Sequence, residues 1–198
     1  MDLRNLSIIR QFFANTVFTH KVQEVAAEVQ ERKSNWVKII NIIIVSFILI
    51  LLSFQVFNQN KIFISFIGAG LAIGEVIFLI VQLTFNFDKR MDLHKKTAIK
   101  YMALRDSYLS LITDIMNESI DSDNIINKRE KLKEEYKSIC ESAPQTNRKE
   151  YYEAQKRLNN KIKNEGEDFT WSDEEIDHFL PEALRLAKKV NKRNKNIK

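Results

Sequence analysis

The sequence predicts an all-α integral membrane protein. A two-helix transmembrane hairpin should lie between an N-terminal amphipathic helix and a C-terminal cytoplasmic helical region. Three observations lead there. The 198 residues are 44% hydrophobic and 29% charged, yet the apolar density is gathered between Trp36 and Phe87 and most of the charge lies outside it. Two apolar runs sit back to back within that window, each long enough to cross a bilayer. Finally, glycine and proline are scarce outside the window, so the flanking chain reads as helix punctuated at few points. These boundaries divide the chain into residues 1–35, 36–87, 88–166 and 167–198, with spans at about 37–58 and 62–87.

Taken in order, residues 1–33 contain no Gly or Pro, and Val22, Val25, Ala26 and Val29 recur at a helical period. Ile8, Ile9, Phe12, Phe13, Val17 and Phe18 form a second apolar group upstream. A helix or helix pair packed on the soluble part is expected, in preference to a separate membrane-surface anchor. From Ile39 to Asn60 there is no charge, Trp36 sits where an interfacial aromatic belongs, and Lys38 can reach the headgroups. The polar connection Asn58 to Lys61 is short enough to force the two spans into an antiparallel hairpin.

The second span, residues 62–87, reaches ~39 Å as a helix, against a ~30 Å hydrocarbon core. It holds a single charge, Glu75, near its middle. A carboxylate at that depth costs on the order of 2–4 kcal/mol unless it is paired, protonated or wetted. Gly68, Glu75, Gln82 and Asn86 fall on one stripe of this helix, which lipid would not tolerate. The first span offers Asn41, Ser46, Ser53 and Gln55 but no base. The stripe is therefore expected to meet other copies of the chain around an axis, and the alternative is a protonated Glu75 bonded to the first span. Gly70 and Gly74 have the spacing that lets two helices approach closely, either within the hairpin or between subunits. Gly68, Gly70, Gly74, Glu75, Gln82 and Asn86 are thus the candidate pore or oligomer interface.

Past Phe87 the helix is expected to continue as one rod. His94, Ala98, Tyr101, Arg105, Tyr108, Ile112 and Ile115 recur at alternating spacings of four and three, a seam for a partner helix or a second chain. Downstream, Asp123 is expected to cap a helix ending before Pro144. Thr146 should cap the next, which runs through Asn164 with Gly166 after its end, and Ser172 to Glu175 has the spacing of a capping box. Pro181 should interrupt the last helix, which restarts through residues 182–190 and frays into the basic tail.

Basic residues Arg32, Lys33 and Lys38 precede the first span, and Lys89, Arg90, Lys95 and Lys96 follow the second, whereas the turn has only Lys61. By the positive-inside rule both termini face the cytoplasm. The net charge of +5 is read as topology and lipid contact, with no nucleic acid expected as a partner because no recognition motif accompanies it. Cys140 is the one cysteine, so there is no disulfide framework, and it is read as an inert thiol. His20, His94 and His178 lie far apart with no metal spacing, and no nucleophile elbow or phosphate loop is present. Neither a cofactor, a metal nor an enzymatic activity is expected.

The junction FNFDKRMDLHKKTAIKYMALR, Phe85 to Arg105, resembles the one that follows the second span in SLATT domains. These are two-transmembrane effectors associated with bacterial nucleotidyltransferase and SLOG sensor proteins. The matching positions are Phe87, His94, Ala98, Tyr101 and Leu104-Arg105, and with the order of features the resemblance covers roughly residues 5–160. It implies a pore-forming or membrane-disrupting effector of a bacterial anti-phage or conflict system, and with the oligomer expected from the Glu75 stripe the chain is read as a homo-oligomer of the inner membrane. A sensor or nucleotide-signalling partner would trigger it, and permeabilisation would arrest the cell in abortive infection. His94, Ala98, Tyr101, Arg105 and Tyr108 would couple cytoplasmic events to the membrane. A membrane-tethered adaptor, or an accessory subunit of a channel or transporter, remains as the alternative.

Overall fold

The computed structural model describes residues 2–57, 62–162 and 169–186. Six α-helices follow one another: α1 (Leu3–Phe57), α2 (Ile62–Phe85), α3 (Phe87–Met116), α4 (Ser122–Ser142), α5 (Arg148–Ile162) and α6 (Asp173–Phe179). A 3-10 turn at Glu182–Leu184 closes the order, and no strand occurs among the described residues. The N-terminal amphipathic segment and the first span are one uninterrupted helix, because nothing between Leu3 and Phe57 disfavours helix. The predicted 58–61 turn, Gly166 and the basic tail lie outside the described residues, as do residues 187–190 of the restarted last helix.

The fold packs as two compact units, one of residues up to Ala26 and from Leu93 onward, the other of Ala27–Asp92.

The first unit is a helical bundle. Leu6, Ile9, Phe13 and Ala14 of α1 meet Tyr101, Leu104, Tyr108, Leu111, Ile112 and Ile115 of α3, with Ile125 and Ile139 of α4 and Ile176 and Leu180 closing the core. The N-terminal helix therefore packs on the soluble part, as its apolar period predicts. Phe12 stacks parallel to Tyr108 at 6.0 Å. Phe18 meets the rings of Tyr151, Phe169 and Trp171 edge-on, which ties α5 and the approach to α6 onto α1.

Caps set the helix starts. Asp121, not Asp123, caps α4, accepting from the Asn124 N–H at 2.9 Å. Asp123 instead lies in the first turn, where its charge favours the helix dipole. Asn147, not Thr146, opens α5: its Oδ1 accepts from the Lys149 and Glu150 N–H groups, and Glu150 reaches back to accept from the Asn147 N–H at 2.8 Å. In both cases the residue chosen is the one whose side chain is a single turn from the orphan donors. The Ser172 to Glu175 capping box forms as its spacing predicts. Beyond Pro181 the described chain makes only the 3-10 turn.

The second unit is the hairpin. Its inward positions on α1 are Ala27, Gln30, Ser34, Val37, Asn41, Ile44, Ile48 and Leu51, alternating by three and four residues. On α2 they are Gly68, Leu71, Glu75, Phe78 and Gln82 in the same alternation, the pattern of 3-4 helix packing. Large apolar side chains face out among the described residues: Ile42, Phe47, Ile50 and Phe54 on one helix, Phe63, Phe66, Ile73, Val76 and Leu83 on the other. Both helices are long and apolar enough to cross a membrane. An apolar surface this continuous has no stable place in water.

Candidate functional site: the polar seam of the hairpin

The hairpin's register follows from one contact. The Ser34 hydroxyl donates to Asp88 Oδ1 at 2.6 Å, and Lys38 Nζ reaches the same oxygen at 3.0 Å. Those two donors hold the Asp88 carboxyl below the usual carboxylate range. With residues 34 and 88 level, antiparallel helices of equal rise bring Asn41 about level with Gln82, and Ile48 about level with Glu75.

Glu75 is 7% exposed, although two helices are all that can cover it. It therefore turns into its own hairpin, and the expectation that its stripe faces other copies does not describe this geometry. Nor is it bonded to the first span. Both carboxyl oxygens lack a hydrogen-bond partner, as do Asn41 Oδ1, Gln82 Oε1 and Gln30 Oε1 on the same seam. The hydroxyls that might have served are taken: Ser46 donates to the Ile42 carbonyl at 2.7 Å and Ser53 to the Leu49 carbonyl at 2.9 Å. The Gln55 side chain lies outside the described part. The acid thus faces the first span with neither oxygen bonded, in a seam whose other unmet atoms are amide oxygens. Buried polar groups are ordinarily hydrogen-bonded, which sets these oxygens apart.

The other candidates on α2 divide between two faces. Gly68 lies on the inward seam with Glu75 and Gln82, whereas Gly70 and Gly74 are exposed on the outside of the hairpin. A Cβ at either position would meet nothing within 4 Å. Close packing inside the hairpin is therefore not what these two glycines provide.

Asn86 leaves the stripe altogether. It is exposed, has φ 37°, and breaks the predicted rod between α2 and α3. Asparagine tolerates that backbone better than most residues, and its Oδ1 accepts from the Lys89 N–H at 3.0 Å, starting α3. The hydrogen bonds of Asn86 N–H to the Gln82 carbonyl and Arg90 N–H to the Asn86 carbonyl carry the helical ladder across the break.

The predicted coupling seam is largely a core face. His94, Ala98, Tyr101 and Tyr108 are buried within the bundle, joined by Leu104 and Leu111. Arg105 is turned outward and pairs with Asp106 at 2.8 Å. The partner of this face is α1 and α4 of the same chain, because α3 carries a broader apolar stripe than a two-position seam. His94 Nδ1 lies 2.6 Å from Gln23 Oε1, and Gln23 in turn donates to the Pro144 carbonyl at 3.4 Å. Burial pushes the Tyr101 and Tyr108 phenols up, so both stay neutral, with Tyr101 Oη 3.2 Å from Cys140 Sγ.

One ionic site was missed in the sequence. Arg10 is fully buried in the bundle and bonds Asp177 at 2.8 Å, Asp173 at 3.2 Å and the carbonyls of Asp173 and Leu184. Its signal was present: Arg10 falls between Leu6 and Phe13 on the apolar face of α1, where a charge is out of place.

The match to a family model decides what kind of chain this is: that of the SMODS and SLOG-associating 2TM effector domain family 4 covers residues 6–175. The chain belongs to that family. This SLATT domain is a two-transmembrane effector domain associated with SMODS and SLOG defence systems. No curated protein and no solved structure matches it. Among the described residues of the SLATT chain no three His, Cys, Asp or Glu side chains are grouped as a metal site. Residues beyond 175, including Asp177 and the turn that Arg10 grips, lie past the matched part.

Proposed function

We propose that this SLATT protein is a non-enzymatic effector of the inner membrane, with both termini in the cytoplasm, which oligomerises and permeabilises the bilayer when a sensor partner triggers it. The observation that carries the reading is the unsatisfied seam. In the lone hairpin, the carboxyl oxygens of Glu75 and the amide oxygens of Asn41 and Gln82 are buried without a hydrogen-bond partner. Turning α2 so that the seam of each copy faces a shared, wetted axis would give those acceptors donors. The outward Gly70 and Gly74 supply a surface on which copies approach closely. Because the one charged group on the seam is an acid, the path it lines favours cations.

The test is induced expression in bacteria with a membrane-potential dye. Wild type should depolarise cells. Glu75→Leu removes the unsatisfied acid and stabilises the closed hairpin, so it should insert normally and depolarise at least tenfold more slowly, about 1.4 kcal/mol of bias. Undiminished depolarisation by both Glu75→Leu and Glu75→Ala would remove the acid from the mechanism.

A second reading is favoured by the bundle having a core of its own: the hairpin only anchors it, and the bundle holds a soluble partner. Replacing residues 36–87 with an unrelated two-span hairpin would then preserve function, which the effector reading forbids.

A further inference from the structure

At the end of the hairpin built by the start of the first span and the close of the second, a groove of about 480 Å³ opens between α1 and α3. Val29, Arg32, Lys33, Trp36, Val37 and Phe87 line it. Its exposed floor is nearly all apolar, yet two cations stand at its edge. Trp36 is 65% exposed there.

The order along the helix identifies the occupant. Trp36, Val37 and Phe87 mark the ends of the two spans, the depth at which aromatic side chains meet the headgroups. Arg32 and Lys33 stand about one turn, ~5.4 Å, farther toward water. Hydrocarbon below and positive charge above is the order of an acyl chain and its phosphate. A soluble anion would gain nothing from the floor.

The charges are available. Arg32 donates to the Glu28 carbonyl at 3.4 Å and lies 3.8 Å from the Glu28 carboxylate, so it is only loosely answered on an exposed surface. Lys33 is exposed and has no ion-pair or hydrogen-bond partner among the described residues. The neighbouring Lys38 is different, being engaged by Asp88. We propose that this groove is a binding site for one anionic phospholipid, its acyl chain along Trp36, Val37 and Phe87 and its phosphate on Lys33 and Arg32.

The test uses the full chain in vesicles containing a minor fraction of brominated phosphatidylglycerol or brominated phosphatidylcholine, with tryptophan quenching as the readout. Brominated phosphatidylglycerol should quench more strongly, by about fivefold in apparent affinity per engaged cation. Trp36→Phe should abolish the difference between the lipids, since Trp171 lies in the bundle. Arg32→Gln with Lys33→Gln should also abolish it, whereas Lys89→Gln with Arg90→Gln, an equal loss of charge beside the membrane, should leave it. Unbrominated phosphatidylglycerol should relieve the quenching in wild type and phosphatidylcholine should not, an arm that needs no substitution. Equal quenching by the two lipids overturns the site. So does a preference lost equally in both double variants, which would mean a diffuse basic surface.

Discussion

Arg10 shows what a single residue can decide in this chain. A guanidinium with no solvent exposure is tolerable only when its donors are met, and here two aspartates and two carbonyls meet them. The partners are unequal. Asp177 is nearly buried, while the Asp173 side chain is 59% exposed and screened by water. Asp177→Ala should therefore cost about 3–5 kcal/mol and Asp173→Ala under about 1 kcal/mol, read as thermal unfolding of the bundle in the full chain by circular dichroism. His20 sets a pH limit on the same bundle. Burial is the main cause that lowers its pKa from 6.5, with Arg105 and Lys21 acting in the same direction and Glu24 and Asp106 opposing them. The unfolded chain thus takes up a proton more readily than the folded one. The stability this group leaves in place is complete above pH ~6.5 and falls as pH drops below it. The unfolding temperature should decline between pH 7.5 and 5.5, and His20→Asn should flatten that slope. An unchanged slope would assign the decline to other groups.

At the scale of elements, α2 is a helix with two different polar features on two faces. The inward face carries Gly68, Glu75 and Gln82, and the outward one carries Gly70 and Gly74. Their separation makes them testable apart. Because a side chain at position 74 meets open space, Gly74→Leu should leave insertion and the hairpin intact, and should even raise helix propensity by about 1 kcal/mol. If copies associate through that face, the same substitution should shift the protein in nanodiscs toward single chains, measured by mass photometry. A mass distribution identical to wild type would place the contact elsewhere. The break at Asn86 matters in the same way. A capped junction that keeps its hydrogen-bond ladder is stiff but can bend, so α2 and α3 are separate elements rather than one lever.

For the whole molecule, the two compact units answer to different solvents. The bundle buries leucine, isoleucine and aromatic side chains in a core of its own, and the hairpin turns the same residue types outward. Solubilised without lipid, the chain should aggregate through the hairpin while the bundle keeps its unfolding transition. Calorimetry in nanodiscs and in delipidated detergent would compare them. Loss of both transitions together would show that the bundle depends on the membrane unit.

The architecture was legible because it rests on one-dimensional quantities. Lengths of apolar runs, the distribution of charge, and period three-four spacing all survive without coordinates, and they led to two spans, an all-α chain and a packed N-terminal helix. Local caps were nearly legible. Asp121 and Asn147 lay one or two residues from the positions expected, since several Asp, Asn and Thr side chains compete within a single turn. Which way Glu75 faces was a different kind of question. A helical stripe defines an angle on one cylinder but not the neighbour it is aimed at, and only the packed hairpin turns the acid inward with neither carboxyl oxygen bonded. Arg10 belongs to the same class: its partners lie more than 160 residues away in sequence, and no local pattern on α1 names them. Pairings across such distances are chosen by the collapse of helices onto one another, which is where buried charge must find its counter-charge or not be buried at all.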